Sequence, residues 1–558
     1  MFRSLVALAL ALPALASAAL PAAAQDRAAP VSAQRMSDVT RELASDPYFG
    51  RAPGGPGEQK TIDFIIAQFK AIGVQPAGDN GGWTEAVPLV RYQTVPGGSY
   101  SLTAGGRTKA LHDGPDLRIE TQRPVAHVAI RAAPLVFVGY GVSAPERGWD
   151  DFKGVDLNGK IAVVLINDPD FEATPGEPVA GKFGGKAATY YARWTYKYEE
   201  AARRGALGML IIHETAPAAY GWNTVVAGAG ESYDVVRKDP AKDKLLLQGW
   251  IQRGLAVDLF RQAGLDFEAE KARARRADFH PVALKGASFS ADYANRFTRL
   301  VSHNVLAKLP GAAHPDETIL YAAHWDAYGQ GPADASGQTL RRGALDDAVG
   351  VAGVLEAARA FKAGPPPDRT VLFAAWTAEE RGLLGSEYYA SRAGPTLAKM
   401  AGNYTFDVLQ TAGPSHDLVL VGAGQNQLEA GLAEVAARHG RTITPDPRPD
   451  RALFYRADHF SVAKRGVPTL LFMGLGGGPD LVDGGRPAGE RWVEAYTAKC
   501  YHQTCDSWDA SQNYQAAADD VTLAIEAGRE LANSRVWPGW NPGSEFKPIR
   551  ARTDALRR

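Results

Sequence analysis

Residues Thr370 to Ser386 read TVLFAAWTAEERGLLGS. The first half, Val371 to Trp376, is a short apolar run of the kind shown by a strand buried on both faces. The second half brings adjacent carboxylates, Glu379 and Glu380, followed by glycines. In an open α/β sheet the C-terminal ends of the strands form the edge where ligands bind, so two acids delivered there are a candidate site. An isolated Glu-Glu pair after a strand otherwise reads as a solvated loop. The assignment therefore turns on the residues that accompany it.

Working outward, Thr318 to Ala323 is apolar and strand-like and runs into His324-Trp325-Asp326. This spacing suits an imidazole that binds a metal while a carboxylate holds its other ring nitrogen; a structural histidine is the alternative. Next, Arg342-Gly343-Ala344-Leu345-Asp346-Asp347-Ala348-Val349-Gly350 leads into a helix whose apolar face carries Val351, Val354, Leu355, Ala358 and Phe361. Either aspartate suits an N-cap, and Asp346, in a glycine-flanked turn, is the better placed to project into a cleft. Asn403 to Asp407 is again an extended apolar segment ending in a carboxylate, and His502 falls between Cys500 and Cys505. A bridge between those cysteines closes a very short loop and gains little chain entropy. Its better rationale is to hold His502, with two free thiols as the alternative.

Together His324, Asp346, Glu380, Asp407 and His502 make a mixed nitrogen and oxygen ligand set. Such a set suits zinc or a similar divalent ion, and it can hold two ions if one carboxylate bridges them. The expected architecture is α/β, a mixed and mostly parallel sheet with helices on both faces and the ligands at its C-terminal edge.

This order of motifs resembles the M28 metallopeptidases. The likeness rests on Ala323-His324-Trp325-Asp326, Gly343-Ala344-Leu345-Asp346, Ala378-Glu379-Glu380, Ala457-Asp458-His459-Phe460 with Gly466-Val467-Pro468, and Tyr501-His502. The phrase around Phe49-Gly50-Arg51 also looks like this family, and residues 132–284, with strand-like runs between turn-rich segments, look like its inserted, β-rich protease-associated (PA) domain. The resemblance implies a zinc-exopeptidase fold and two zinc ions bridged by Asp346. One ion would also take His324 and Asp407, and the other Glu380 and His502. It further implies Asp326 supporting His324, Glu379 as catalytic base, peptide substrates, and a substrate pocket near Arg456, Asp458 and His459. After the bridging aspartate the family often has Asn then Ala-Ser-Gly, where this chain has Asp347-Ala348-Val349-Gly350; the lost serine removes a hydroxyl and no ligand.

The chain has 558 residues, 45% of them hydrophobic and 22% charged, with a formal net charge of -1. That balance offers no electrostatic footprint for nucleic acid or an anionic membrane surface. Arg3, the apolar run Leu5 to Leu12 and Ala22-Ala23-Ala24 read as a signal peptide over residues 1–24. Later segments are too short in apolar length to span a bilayer, so the expectation is a periplasmic or extracellular protein without stable membrane insertion. The implied layout is a catalytic domain in two pieces, 25–131 and 285–536, around the insert at 132–284, with residues 537–558 as a loose Pro- and Gly-rich tail.

An aminopeptidase is the expected activity. A glutamate-carboxypeptidase-like enzyme would need basic residues to read substrate carboxylates, which Arg451 and Arg456 keep open. A glutaminyl cyclase, binding one zinc, and a non-catalytic binding ectodomain are the remaining alternatives; a dead scaffold would be expected to have lost ligands.

Overall fold

The computed structural model describes residues 30–226 and 230–557, so the expected signal segment 1–24 lies outside the described residues. A 15-stranded mixed sheet runs through two lobes. In the first lobe the strands Thr469–Phe472, Met400–Phe406, His314–His324 and Arg369–Trp376 lie side by side and parallel. Each is buried along most or all of its length, which is why each reads in the sequence as an unbroken apolar run rather than an alternating one.

Helices sandwich this sheet. Val349–Ala363 is buried on nearly every side, being wedged among the sheet and the helices Ala33–Leu43, Glu58–Ile72 and Tyr514–Ala532. Packing across the layers is close. Tyr321 stacks on Tyr404 with ring centroids 5.1 Å apart, and its hydroxyl donates to the Ala524 carbonyl at 2.9 Å. Only a glycine fits opposite it, because a Cβ on Gly528 would meet the Tyr321 hydroxyl oxygen at 1.8 Å. Ile62, Ile65 and Phe69 are the buried face of Glu58–Ile72, and Gly73, at φ 84°, ends that helix in the left-handed region.

The second lobe is reached along one strand of 28 residues, Val282–Leu309. Its C-terminal part pairs antiparallel with Arg369–Trp376, its middle with Thr84–Thr94, and its N-terminal part with His127–Phe137 and Ser99–Ala104. Beyond it Ile161–Leu165, Gly208–His213 and Leu247–Gln252 continue in parallel, covered by Trp194–Arg203 and Arg253–Gln262. The lobe is wider than the expected 132–284, since Ser99–Ala104, Arg107–Leu111 and Leu117–Glu120 also belong to its sheet. Their side chains Tyr100, Leu102, Leu117 and Ile119 are buried in its core, which fixes them there.

The C-terminal segment corrects the expectation of a loose tail. Trp540 and Phe546 are buried and pack on each other and on Phe454, Tyr455 and Phe460, and the Trp540 indole donates to the Gly466 carbonyl at 2.9 Å. Glu545 joins the two lobes, accepting from the Tyr190 backbone N–H at 3.0 Å and from the Tyr455 hydroxyl at 2.9 Å. Two large aromatics outweigh a Pro- and Gly-rich composition, because each ring hides on the order of 150–250 Å² from water.

Candidate metal centre

The parallel register carries three acidic or imidazole strand ends to one place. His324 ends its strand opposite Trp376, Glu379 and Glu380 follow three and four residues after Trp376, and Asp407 follows Phe406 on the other side of the His324 strand. Strand His314–His324 lies between Arg369–Trp376 and Met400–Phe406, so the chain reverses its lateral direction there and opens a crevice at the strand ends.

Asp346 enters that crevice from the loop before Val349–Ala363. Its two carboxylate oxygens face different histidines: Oδ1 lies 3.1 Å from His324 Nε2, and Oδ2 lies 3.2 Å from His502 Nε2. His324 Nε2 is also 4.0 Å from Asp407 Oδ1, and His502 Nε2 is 3.3 Å from Glu380 Oε2. Two triads result, His324-Asp346-Asp407 and Asp346-Glu380-His502, each with ligand atoms within 4.8 Å of one another and sharing Asp346. The structure thus brings together all five residues singled out in the sequence.

The donor set fits zinc. Each triad offers one imidazole nitrogen and two carboxylate oxygens, a combination suited to a borderline divalent ion. Burial also crowds the negative charge. It drives the Glu379 and Glu380 carboxyls well above their ordinary range, with neighbouring carboxylates adding to the effect, and lifts Asp407 to about 8 through burial and then Asp346. Burial would raise Asp346 too, but the two histidines hold it well below the carboxylate range. A buried carboxylate cluster of this kind suits a bound divalent cation.

The surrounding contacts hold these groups in place. Asp326 accepts the Glu379 N–H at 2.9 Å and the Glu380 N–H at 3.3 Å, while its Oδ1 stands 3.6 Å from His324 Nδ1. His324 Nδ1 lies closer, at 3.0 Å, to the Asp326 backbone carbonyl. Asp347 does more than cap a helix: it accepts from Gly350 N at 3.0 Å and also from His324 N and Val408 N, both at 3.3 Å, so it ties two strand ends to the helix entrance. Gly350 is required there, because a Cβ would sit 2.3 Å from the Asp347 carboxylate. Arg51 is fully buried and donates to the carbonyls of Leu43, Trp325, Arg342 and Gly343, which pins the loop of Asp346 to the strand of His324.

Cys500 and Cys505 form a disulfide with Cα atoms 5.0 Å apart, spanning His502. The residues expected near a pocket divide. Arg456 lines the cleft, of about 570 Å³, together with Asp346, Glu379, Glu380, Asp407 and His502. Asp458 and His459 do not line it: both are buried beneath the wall, Asp458 accepting from the Ser386 hydroxyl at 2.5 Å and His459 packing its ring 4.7 Å from that of Phe454. The short helix His459–Ala463 turns them inward.

Other neighbours escaped the sequence reading. Asp506 accepts the backbone N–H of Leu345 at 2.9 Å and of Asp346 at 3.1 Å, and the Tyr496 hydroxyl at 3.0 Å. Tyr328 packs its ring at a tilt against His502, centroids 4.5 Å apart, and Tyr501 and Arg381 line the cleft. Asp506 closes the Tyr501–Asp506 phrase that carries His502, and its place one residue after the bridged Cys505 was the available signal.

Residues 304–525 match the model of Peptidase family M28. Leupeptin-inactivating enzyme 1 of Streptomyces exfoliatus is 28% identical over 211 residues, 37% of this chain and 43% of that protein. A probable zinc metalloprotease of Pyrenophora teres f. teres (strain 0-1) is 43% identical over 86 residues, 15% of this chain and 18% of that protein. The chain thus spans less than half the length of these curated relatives. Among solved structures, the aminopeptidase from Aneurinibacillus sp. strain AM-1 aligns with a TM-score of 0.49 at 21% identity, over 90% of this chain and 94% of its own. The zinc aminopeptidase BSAP from Bacillus subtilis aligns at 0.43 and 19%, over 90% and 96%. All five clustered side chains, and Glu379 beside them, fall inside the segment 304–525 that matches the Peptidase family M28 model.

Proposed function

We propose that the chain is an exported zinc-dependent exopeptidase, an aminopeptidase that removes N-terminal residues from peptides. The observation that carries this reading is the placement of the two Asp346 oxygens, one toward each histidine, which makes two metal positions sharing one carboxylate. His324 and Asp407 would complete one position, and Glu380 and His502 the other. Two bound zinc ions would supply an acidified water and a positive field for the oxyanion.

The two glutamates then take different roles. Glu380 faces His502 at 3.3 Å, whereas the Glu379 carboxylate lies in the cleft wall with no hydrogen bond or ion pair among the described residues. Glu379 accepts a proton as the water oxygen bonds to the scissile carbonyl carbon. It gives that proton to the amine nitrogen as the C–N bond breaks. The surrounding protein excludes bulk water from a carboxylate that is only 8% exposed, and the Asp326 contact fixes its backbone.

Export rests on the basic-then-apolar start of the sequence, and the Cys500–Cys505 disulfide supports an oxidising compartment. The second lobe is read as a PA-like module that walls the cleft with Arg193, Trp194, Tyr198 and Tyr233. Metal analysis together with a substrate panel tests the whole reading. Two zinc ions per chain and cleavage of free-amine peptides only are expected. One zinc with turnover of N-terminal glutaminyl peptides, or release of C-terminal residues from N-blocked peptides, would overturn it.

A further inference from the structure

Next to the metal cleft lies a second cavity of about 630 Å³, walled by Arg118 and Arg193 from the second lobe and by Arg451 and Arg456 from the first lobe. The two spaces meet, since Arg193, Arg456 and Tyr501 line both. Two of the four arginines are occupied. Arg118 pairs with Asp113 at 2.9 Å and donates to the Val226 carbonyl, and Arg451 donates to the Leu475 carbonyl at 3.2 Å. The side chains of Arg193 and Arg456 make no hydrogen bond or ion pair among the described residues, and Arg193 Nε is buried without a partner.

The acids in the same wall do not neutralise them. Glu120 is engaged by the Gln248 amide at 2.5 Å, and burial raises its carboxyl toward the neutral form. Asp450, also in the wall, makes no ion pair with these arginines among the described residues. Burial, and then repulsion from Arg456, pushes the Arg193 guanidinium down to about 10. Two guanidinium groups from different lobes, walling one cavity with no hydrogen-bonded or ion-paired partner for either side chain among the described residues, form a site that suits an anion. A carboxylate is the group whose two oxygens match the guanidinium fork. Trp194, Tyr198, Tyr220 and Trp250 supply the apolar wall that a peptide needs around it.

We propose that this cavity is a substrate subsite in which Arg193 and Arg456 together bind a carboxylate of the peptide whose scissile bond lies at the metal centre. The proposal rests on the peptidase reading above and narrows it to peptides that carry an anion. That anion is either the free C-terminus of a short peptide or an Asp or Glu side chain in a longer one. Because one arginine comes from each lobe, a bound peptide also bridges the lobes.

The test is kinetic and calorimetric, on the zinc-loaded protein. Three matched substrates are compared: a neutral tripeptide acid, its C-terminal amide, and the amide with glutamate at its second position. The acid or the glutamyl amide is expected to show a KM roughly 10-fold below that of the neutral amide, as for one charge-assisted contact. Which of them does so identifies the source of the carboxylate. In Arg193→Met and Arg456→Met the ratio of kcat/KM between the preferred anionic substrate and the neutral amide should fall to about one. Calorimetry with the N-acetylated tripeptide acid and amide reads the same preference without cleavage. Equal KM and equal binding of all forms by the wild-type protein would overturn the proposal even if neither variant folds. A preference in binding without hydrolysis of any peptide would keep the subsite and remove the peptidase reading.

Discussion

One carboxylate, that of Asp326, holds the backbone of both glutamates, taking the Glu379 N–H at 2.9 Å on one oxygen and the Glu380 N–H at 3.3 Å on the other. The two glutamates come from one strand and Asp326 from its parallel neighbour, so the contact sets how the acidic turn sits relative to His324. Asp326→Asn replaces one acceptor oxygen with a donor facing an N–H. Zinc affinity, or kcat at saturating zinc, should fall by about 10–100-fold, the usual cost of losing a group that orients ligands. Chelator competition and steady-state kinetics check it, and a variant within about 2-fold of wild type in both would refute the role.

The neighbouring glutamates should separate cleanly. Glu379→Gln is expected to keep its full metal content while kcat falls by about 10²–10⁴-fold, because a general base is lost and no ligand is. Glu380→Gln is expected to lose about one zinc per chain. Metal analysis of both proteins side by side distinguishes the roles, and a Glu379→Gln protein with full activity would sink the base assignment.

The metal cluster was legible for a physical reason. A strand buried on both faces must be apolar throughout, so the first acid or histidine after such a run, as at His324, Glu379 or Asp407, falls on the edge of the sheet. What stayed hidden depends on pairs far apart in sequence. Asp506 reaches the Asp346 loop across 160 positions, and Arg193 and Arg456, which line one cavity, come from lobes that the strand Val282–Leu309 joins. The alternation of buried Phe289, Ala291 and Tyr293 announces a strand there, but nothing in it says which strands it pairs with at each end. Composition misled at the C-terminus, where the chain looks loose and two tryptophan- and phenylalanine-sized anchors decide otherwise.

Those anchors make a stability prediction. Trp540→Ala removes a fully buried ring and orphans the Gly466 carbonyl it caps. The expected loss is about 3–5 kcal/mol of unfolding free energy, as for other buried aromatic truncations. Urea denaturation measures it. A change below about 1 kcal/mol would return the segment to a loose tail.

The disulfide spans His502, whose backbone sits at φ 63°, in the left-handed region that a non-glycine residue adopts only when its surroundings impose it. A loop of this size gains little from chain entropy, so Cys500→Ala/Cys505→Ala should barely move the unfolding midpoint. It should weaken the metal position of Glu380 and His502 more than that of His324 and Asp407. Stepwise zinc titration would reveal a selective loss, and a uniform loss at both positions would argue for a general structural role.

Acid sensitivity should carry the signature of His459. Burial pushes its imidazole down to about 3, against a weaker pull from the Phe454 backbone, whereas the unfolded chain titrates near the ordinary value of about 6.5. Above pH 6.5 the group is neutral in both states and costs nothing. Between about 6.5 and 3 the unfolded state takes up a proton that the fold refuses, so stability falls as pH falls, by up to about 1.4 kcal/mol per pH unit. Below about 3 both states are protonated and this contribution stops changing. His459→Phe keeps a ring against Phe454, which stands 4.7 Å away, and removes the titration. Its unfolding free energy should therefore decline less steeply than wild type through that window, with the two curves parallel above pH 7. Denaturant unfolding at a series of pH values reads the difference in slope directly, and curves that stay parallel down to pH 4 would show that His459 takes up its proton in the folded state as readily as in the unfolded one.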